Sequence, residues 1–322
     1  MHSNSSLNAD KKQHGIGYLA GVMRSFIDCD TVFASSGPYW HLCTPGQFTE
    51  LLFENDADYS FGMNSIAICA QTAGIDILAF EIMSNHLHLI LSALEDLCLA
   101  FFEQLKKRLR LFYSRHDRYV NLHNFIPSVI PIADLKSLRN EIVYVNRNGF
   151  LVNPAYTPFS YPWGSGNLYF MPPFPETACR KWENITYREK ERICHGRICD
   201  IPGNYLVHNG IILPQNYCAT DIGMALFRDA HQYFSMVSKN YEAYSEVAKR
   251  LGESVFLTDD EMFAALRLMS RSQYGDIKPA MLDPNQKLDL ARRLKSKYNA
   301  SDGQIQRMLR LDRNVVAELF GH

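Results

Sequence analysis

The sequence predicts an α+β fold, in which an antiparallel sheet carries helices on one side and a helical, helix-turn-helix-like domain follows at the C-terminal end. Three observations predict it. Candidate elements follow the order strand, helix, strand, strand, helix over residues 38–148. The run FEIMSNHLHLILSA at 80–93 is apolar enough for strands of a buried sheet. Residues 285–322 show three short helical patterns separated by polar breaks.

The first candidate strand is PYWHLCTP at 38–45, which is rich in aromatic residues and closed by a Pro-Gly pair. A weak helical stripe follows at 57–73 and ends at Gly74. Residues 76–92 predict two strands, or one bent strand. These segments are the first elements of the expected sheet domain.

Two longer helices complete this domain. Residues 94–116 have an apolar stripe and a basic opposite side, and residues 134–148 have a second stripe that Gly149 is expected to stop. A loop that contains Pro127 and Pro131 separates them. We expect these helices to pack on one side of the sheet.

Composition divides the chain into four parts. Residues 1–30 are expected to be a mobile N-terminal tail, 31–166 the sheet domain, 167–255 an extended and helical connecting region, and 256–322 the C-terminal helical domain. In the connecting region we predict a hairpin at His208-Asn209-Gly210.

Helices are expected at 221–251 and 259–272, before the three short helices of the tail. Ser301 with Gln304 forms a capping box at the start of the second short helix. Asp312 can cap the third, and Gly321 ends it.

Composition is that of an ordinary globular protein, with 47% hydrophobic and 21% charged residues in 322. The net charge of −1 does not indicate a nucleic-acid partner, so such a partner requires local basic patches. The eight cysteines form no CxxC pair, and ICHGRIC lacks the partner ligands of a zinc site. Without a secretory signal or an apolar run long enough to span a membrane, we expect a cytoplasmic protein with reduced thiols.

The most informative feature of the sheet is a histidine pair. In a strand over 86–91, alternation places His86 and His88 on one face and the leucines between them on the other. Two imidazoles so placed can hold one divalent cation and leave positions open for oxygen ligands. The alternative is a pair of half-exposed histidines on a sheet face without function.

A second group lies on the helix at 134–148. Glu141, Tyr144 and Asn148 are spaced by three and four residues, so they share a face beside the apolar stripe. They could place a phenol and an amide oxygen by the same metal, although Tyr144 could equally be packing. His41, on the first strand, is assigned a structural role.

Three motifs in the same order resemble a known family. MSNHLHLIL is similar to MPNHVHLLL, the signature of the single-tyrosine HUH endonucleases, which include insertion-sequence transposases and REP-associated tyrosine transposases. EIVYVNRNGFLV at 141–152 and FSYPWGSG at 159–166 resemble the RYIxxNPVRAGLV and YPWSS segments of these relatives. YWHLCTPG resembles their first strand. The resemblance spans roughly residues 38–166, about two fifths of the chain.

The resemblance implies an HUH domain with a ferredoxin- or RRM-like palm over 31–166. It implies that His86 and His88 bind a divalent metal ion, Mg²⁺ or Mn²⁺, and that Asn148 supplies a third contact. Tyr144 matches the catalytic nucleophile, which attacks DNA and forms a 5′-phosphotyrosine bond. Two positions depart from the pattern, since Ser84 and Gly149 replace prolines.

The expected partner is single-stranded, hairpin or repeat DNA. Residues 101–120 carry six Lys and Arg against two acids, and 285–322 carry eight basic against four acidic residues. Such patches attract phosphates, although a solvated helix face has the same pattern. The candidate DNA-binding residues are Lys106, Lys107, Arg108, Arg110, Arg115 and, at the start of a recognition-like last helix, Arg313.

Three functions therefore compete. The first is a metal-dependent nicking and strand-transfer enzyme, a transposase, and the second is a domesticated repeat-DNA-binding protein that does not transpose. The third is a metal-dependent hydrolase of a non-nucleic substrate, which requires a strong acidic ligand near the histidines. Both a monomer and a homodimer are compatible with the sequence.

Overall fold

The computed structural model describes residues 28–44, 51–152, 156–157, 159–239, 247, 259–275, 277 and 279–321. Most of the predicted N-terminal tail, and the Pro-Gly pair after the first strand, therefore lie outside the described residues. The described helices are α1 (Cys29–Ser36), α2 (Asp56–Ala73), α3 (Glu95–Arg115), α4 (Leu135–Val152), α5 (Tyr187–Cys194), α6 (Thr220–Ala225), α7 (Ala230–Lys239), α8 (Asp259–Tyr274), α9 (Pro284–Tyr298), α10 (Asp302–Leu309) and α11 (Arg313–Phe320). The strands are β1 (Tyr39–Cys43), β2 (Asp76–Ile82), β3 (Leu87–Ser92), β4 (Ser128–Ile132), β5 (Arg180–Lys181), β6 (Leu206–His208) and β7 (Ile211–Ile212).

The main sheet has four strands in the order β2-β3-β1-β4, and every neighbouring pair is antiparallel. The predicted antiparallel sheet with helices is therefore confirmed. Strand β4 was not predicted, because Pro131 within SVIPI indicated a loop. The proline is tolerated since β4 lies at the edge of the sheet and pairs only with β1.

Helices cover both faces of this sheet rather than one. Leu87, Leu89 and Leu91 of β3 belong to an apolar cluster with α2 and α3. Ile90, on the opposite face of β3, packs in a second cluster with α4. Strand β3 is apolar on both faces, so each face needs a cover, and α4 supplies the second one.

The segment that contains FSYPWGSG covers the outer edge of β2. Ile82 N–H donates to Trp163 O at 2.9 Å, and Ser165 N–H donates to Phe80 O at 2.9 Å. A Cβ atom on Gly164 would lie 2.9 Å from Phe80 O, so the close pairing requires glycine. This pairing satisfies backbone groups that an edge strand would otherwise expose.

Helix α4 is fixed to the same edge by side chains. The Ser165 hydroxyl donates to Asn146 Oδ1 at 2.7 Å and accepts from Phe80 N–H at 2.9 Å. Asn146 in turn donates to the hydroxyl of Tyr233 on α7 at 3.2 Å. These bonds set the position of α4 over β2 and β3. The helix runs to Val152, so Gly149 does not stop it, because an interior glycine costs a helix only about 1 kcal/mol.

The connecting region contains a second sheet in the order β5-β6-β7. The predicted hairpin is confirmed between β6 and β7, with positive φ at Asn209 (49°) and Gly210 (81°) as a tight hairpin turn requires. Asn64 of α2 bonds to both Gly210 O and Ile212 N. The helix predicted over 221–251 is divided into α6 and α7, and its residues after 239 lie outside the described part, except 247.

The three short C-terminal helices are confirmed as α9, α10 and α11. The Ser301–Gln304 capping box is present, Asp312 accepts from Asn314 N–H, and Gly321 ends α11 at φ 71°. Apolar residues of these helices belong to the same cluster as the α4 face of the sheet. The helix-turn-helix assignment and the four domain boundaries stay predictions. None of the helices in the described ranges is long and apolar enough to cross a membrane.

Candidate active site

The two histidines of the pair lie side by side at the beginning of β3. His88 is within the strand and fully buried on its α4 face, whereas His86 precedes the strand and is half-buried. Their ring centroids are 5.1 Å apart, with the planes nearly perpendicular. The hairpin turn places His86, since Met83 N–H donates to His86 O at 2.9 Å. The solvent-accessible edge of the site is therefore at His86.

Tyr144 meets this pair from α4. Its ring centroid lies 5.7 Å from that of His88 and 6.4 Å from that of His41, and both contacts are edge-to-face. Only 6% of Tyr144 is exposed. The structure thus brings Tyr144 and His88 together although 56 residues separate them (144 − 88).

A buried chain of three side chains runs beneath the pair. His41 Nδ1 lies 2.9 Å from Glu141 Oε2, and His41 Nε2 lies 3.1 Å from His88 Nδ1. All three side chains are fully buried. Glu141 is one helical turn before Tyr144 on α4, so the chain links the tyrosine helix to the histidine strand through β1.

With His41 neutral, this chain determines which nitrogen of His88 carries the proton. A carboxylate only accepts, so the Nδ1–H of His41 donates to Glu141. In the neutral imidazole, Nε2 of His41 is then an acceptor, and the Nδ1–H of His88 donates to it. The lone pair of His88 is therefore on Nε2, the nitrogen directed away from His41. A carboxylate–histidine arrangement of this kind orients metal-binding histidines in proteins.

His86 has the same tautomer, which is set by a contact with its neighbour Asn85. Its Nδ1 lies 2.7 Å from Oδ1 of Asn85, an acceptor, so Nδ1 carries the proton and Nε2 the lone pair. Burial holds the pKa of His88 well below its usual value. Hence His88 is neutral at physiological pH, which is the state that binds a metal.

The donor set fits a divalent cation with an incomplete protein ligand set. His86 and His88 would supply two Nε2 atoms, and no cluster of three or more His, Cys, Asp and Glu suited to a metal is found within the described ranges. Asn148 is half-buried one turn after Tyr144, and only its position on α4 relates it to the histidines. Oxygen ligands from a substrate would have to complete the shell of Mg²⁺ or Mn²⁺.

Three buried residues of the site were given no chemical role from the sequence. His41 was assigned to structure, and Glu141 was noted only for its helix face. Glu81 pairs directly with His88 across β2 and β3 and is 2% exposed. For Glu81 the sequence did contain a signal, because it is a charged residue within the apolar strand LAFEIM. The His41–Glu141 contact has no local signal, because the two residues are 100 positions apart.

The predicted DNA-binding residues divide into two groups. Arg108 turns inward, where it bonds to Ser65 Oγ at 3.1 Å and to Cys194 O at 3.0 Å. Arg115 donates to His195 O. Both guanidinium groups therefore bind the protein itself.

Lys106 and Arg110 instead line a cavity of about 620 Å³ at the end of α3, beside the exposed Tyr119. Lys107 and Arg313 are exposed on α3 and α11. Four of the six predicted residues therefore present their charge toward solvent or this cavity.

Comparisons with known proteins add one similarity. No protein-family model and no curated protein matches the chain. Among solved structures, it is similar to a REP-associated tyrosine transposase bound to a REP hairpin, with a TM-score of 0.32 and 14% identity. The similarity covers 40% of this chain and 77% of that chain. A TM-score of this size does not establish a shared fold.

Proposed function

We propose that the protein belongs to the single-tyrosine HUH endonucleases and that it nicks and rejoins single-stranded hairpin or repeat DNA, as a transposase does. The observation that supports this function best is the contact of Tyr144 with His88, whose ring centroids are 5.7 Å apart, beside His86. A tyrosine nucleophile and two imidazoles that carry their lone pairs on Nε2 are the parts that a metal-assisted phosphoryl transfer needs.

Tyr144 would attack the phosphorus of a phosphodiester. The phenol loses its proton, the bond from phosphorus to the 3′ oxygen breaks, and that oxygen gains a proton. The products are a 5′-phosphotyrosine and a free 3′-hydroxyl, and attack by a 3′-hydroxyl reverses the step and joins strands. A free phenol has a pKa near 10, so a nearby base or cation must assist its ionisation. Mg²⁺ or Mn²⁺, held by His86, His88 and Asn148, would supply charge stabilisation at the phosphate and the leaving oxygen.

Two other functions differ in what they require. A domesticated repeat-binding protein needs the basic surface, but it needs neither Tyr144 nor the hydrogen-bonded chain of Glu141, His41 and His88. A hydrolase of a non-nucleic substrate needs an acidic ligand, and Glu81, which pairs with His88 across β2 and β3, is the candidate. The packing of Tyr144 against His88 favours the nuclease over both.

The proposed activity predicts a covalent DNA adduct. Incubation of the full chain with 5′- and 3′-labelled hairpin oligonucleotides and Mn²⁺ should give a band on a denaturing gel that retains only the label 3′ of the nick. EDTA should abolish it, because the chelator removes the cation that His86 and His88 would hold. A panel of hairpins that binds the protein but gives no adduct would instead support the domesticated DNA-binding function.

Lys106 and Arg110 should contribute to DNA binding by charge. Substitution of both with alanine removes two phosphate contacts, so the slope of log K against log salt should become shallower by about 1.4. Lys181→Ala with Arg188→Ala, two exposed cations of the connecting region, is the matched control. An unchanged slope in the Lys106/Arg110 variant would place the DNA on another surface.

A further inference from the structure

A pair of thiols lies at the end of α5, on the sheet face opposite Tyr144. Cys194 is the last residue of α5 and is buried, while Cys199 is half-buried five residues later. The Cys199 N–H donates to Cys194 Sγ at 3.3 Å, which holds the two cysteines next to each other. Positive φ values at His195 (52°) and Gly196 (136°) let the chain turn back after the helix.

Arg108 fixes a positive charge beside this pair. Its Nη1 lies 3.9 Å from Cys199 Sγ, while Nε and Nη2 bond to Ser65 Oγ and to Cys194 O. The guanidinium is therefore held on three sides and cannot turn to solvent without the loss of these contacts. This explains why an arginine of the basic helix faces inward.

The two thiols differ in their protonation. The neighbouring Cys194 thiol and then the charge of Arg108 lower the pKa of Cys199, although burial opposes the shift. The neighbouring Cys199 and burial raise the pKa of Cys194. Of the two thiols, Cys199 is therefore the one that ionises first.

We propose that Cys199 and Cys194 form a peroxide-reactive thiol pair, in which Cys199 is the nucleophile and Cys194 the resolving cysteine. The Cys199 thiolate attacks one oxygen of a hydroperoxide, the O–O bond breaks, and the leaving oxygen takes a proton from solvent, which gives a sulfenic acid and water or an alcohol. Cys194 then attacks the Cys199 sulfur, its proton leaves with the hydroxyl as water, and a disulfide forms. Overall, two thiols and one hydroperoxide give a disulfide, one water and one alcohol or second water.

The sequence around the pair makes the product easy to identify. Arg192 and Arg197 are tryptic sites, so Cys194 lies on the peptide Ile193–Arg197 and Cys199 on the next one, Ile198–Arg228. A disulfide between them therefore links two tryptic peptides. Cys218, on the longer peptide, is buried and is distinguished by fragmentation.

The first experiment treats the full chain with one equivalent of hydrogen peroxide at pH 7 and maps the linked peptides by mass spectrometry. We expect a loss of about 2 Da and the Ile193–Arg197 to Ile198–Arg228 link as the main product. Cys199→Ser should leave Cys194 unoxidised. Cys194→Ser should accumulate a sulfenic acid at Cys199, which dimedone traps. Oxidation of the wild type without this link would overturn the proposal.

The second experiment compares Cys199 with Cys179, which is also partly exposed but whose pKa is raised by burial and by Glu176. In competition for limiting iodoacetamide at pH 6, Cys199 should react roughly tenfold faster. Its larger thiolate fraction outweighs the lower intrinsic nucleophilicity of a more acidic thiol. Equal rates would contradict the assignment of Cys199 as the nucleophile. Neither readout depends on DNA cleavage, so the proposal stands or fails separately from the proposed function.

Discussion

Tyr144→Phe is expected to reduce covalent adduct formation with hairpin DNA by at least about 10³-fold, because loss of a nucleophile removes the chemical step itself. Phenylalanine keeps the ring that packs edge-to-face on His41 and His88, so the fold should be retained. Adduct yield on a denaturing gel, together with thermal unfolding, measures both effects.

The matched control is Tyr187→Phe on α5, where the tyrosine is 70% exposed. It should leave the adduct unchanged. DNA binding by Tyr144→Phe should equal that of the wild type, since the basic residues lie elsewhere. An adduct that persists in Tyr144→Phe at the wild-type level would mean that another residue is the nucleophile.

Glu141→Gln is expected to weaken Mn²⁺ binding by about 10- to 100-fold, as loss of a partner that orients a metal-binding histidine does. The glutamine amide can donate to Nδ1 of His41 as well as accept from it, so the His41 proton is no longer held on Nδ1. In the molecules where Nε2–H of His41 donates to Nδ1 of His88, the His88 proton lies on the metal-binding nitrogen. The substitution keeps the side-chain shape, so the effect is on the proton position.

Calorimetric titration of the protein with Mn²⁺ in the presence of uncleavable hairpin DNA measures this affinity. His88→Ala gives the lower limit, and Glu103→Gln on the exposed side of α3 is the matched control. The ¹⁵N shifts of the His88 ring report its tautomer directly. Unchanged affinity and an unchanged His88 tautomer in Glu141→Gln would show that the buried chain serves packing only.

Periodicity in the sequence predicted the parts of the site that lie on one element. Strand alternation placed His88 away from the leucines, and helical spacing placed Glu141 and Tyr144 on one face, where both meet His41. Periodicity did not predict the contacts between site residues that are far apart in the sequence. His41 reaches Glu141 only because β1 pairs with β3 and α4 crosses the same face, and neither fact has a local signal.

Helix α3 gives a second example of a contact that the local sequence pattern does not predict. Arg108 and Arg110 are two positions apart on α3, and both look like members of a basic surface. Only the structure distinguishes them, because α5 and the Cys194–Cys199 loop pack over Arg108 and not over Arg110. The edge strand β4 and the helices on both faces were likewise decided by tertiary packing, which outweighs local propensity.

The identity of the amino acid that carries the DNA tests the central claim most directly. Trypsin releases Asn140–Arg147, a peptide in which Tyr144 is the sole tyrosine. After reaction with a hairpin and Mn²⁺, followed by nuclease digestion, mass spectrometry should find a 5′-linked nucleotide on Tyr144 of this peptide. A covalent nucleotide on any other residue, or a linkage through the 3′ end of the DNA, would contradict the proposed mechanism.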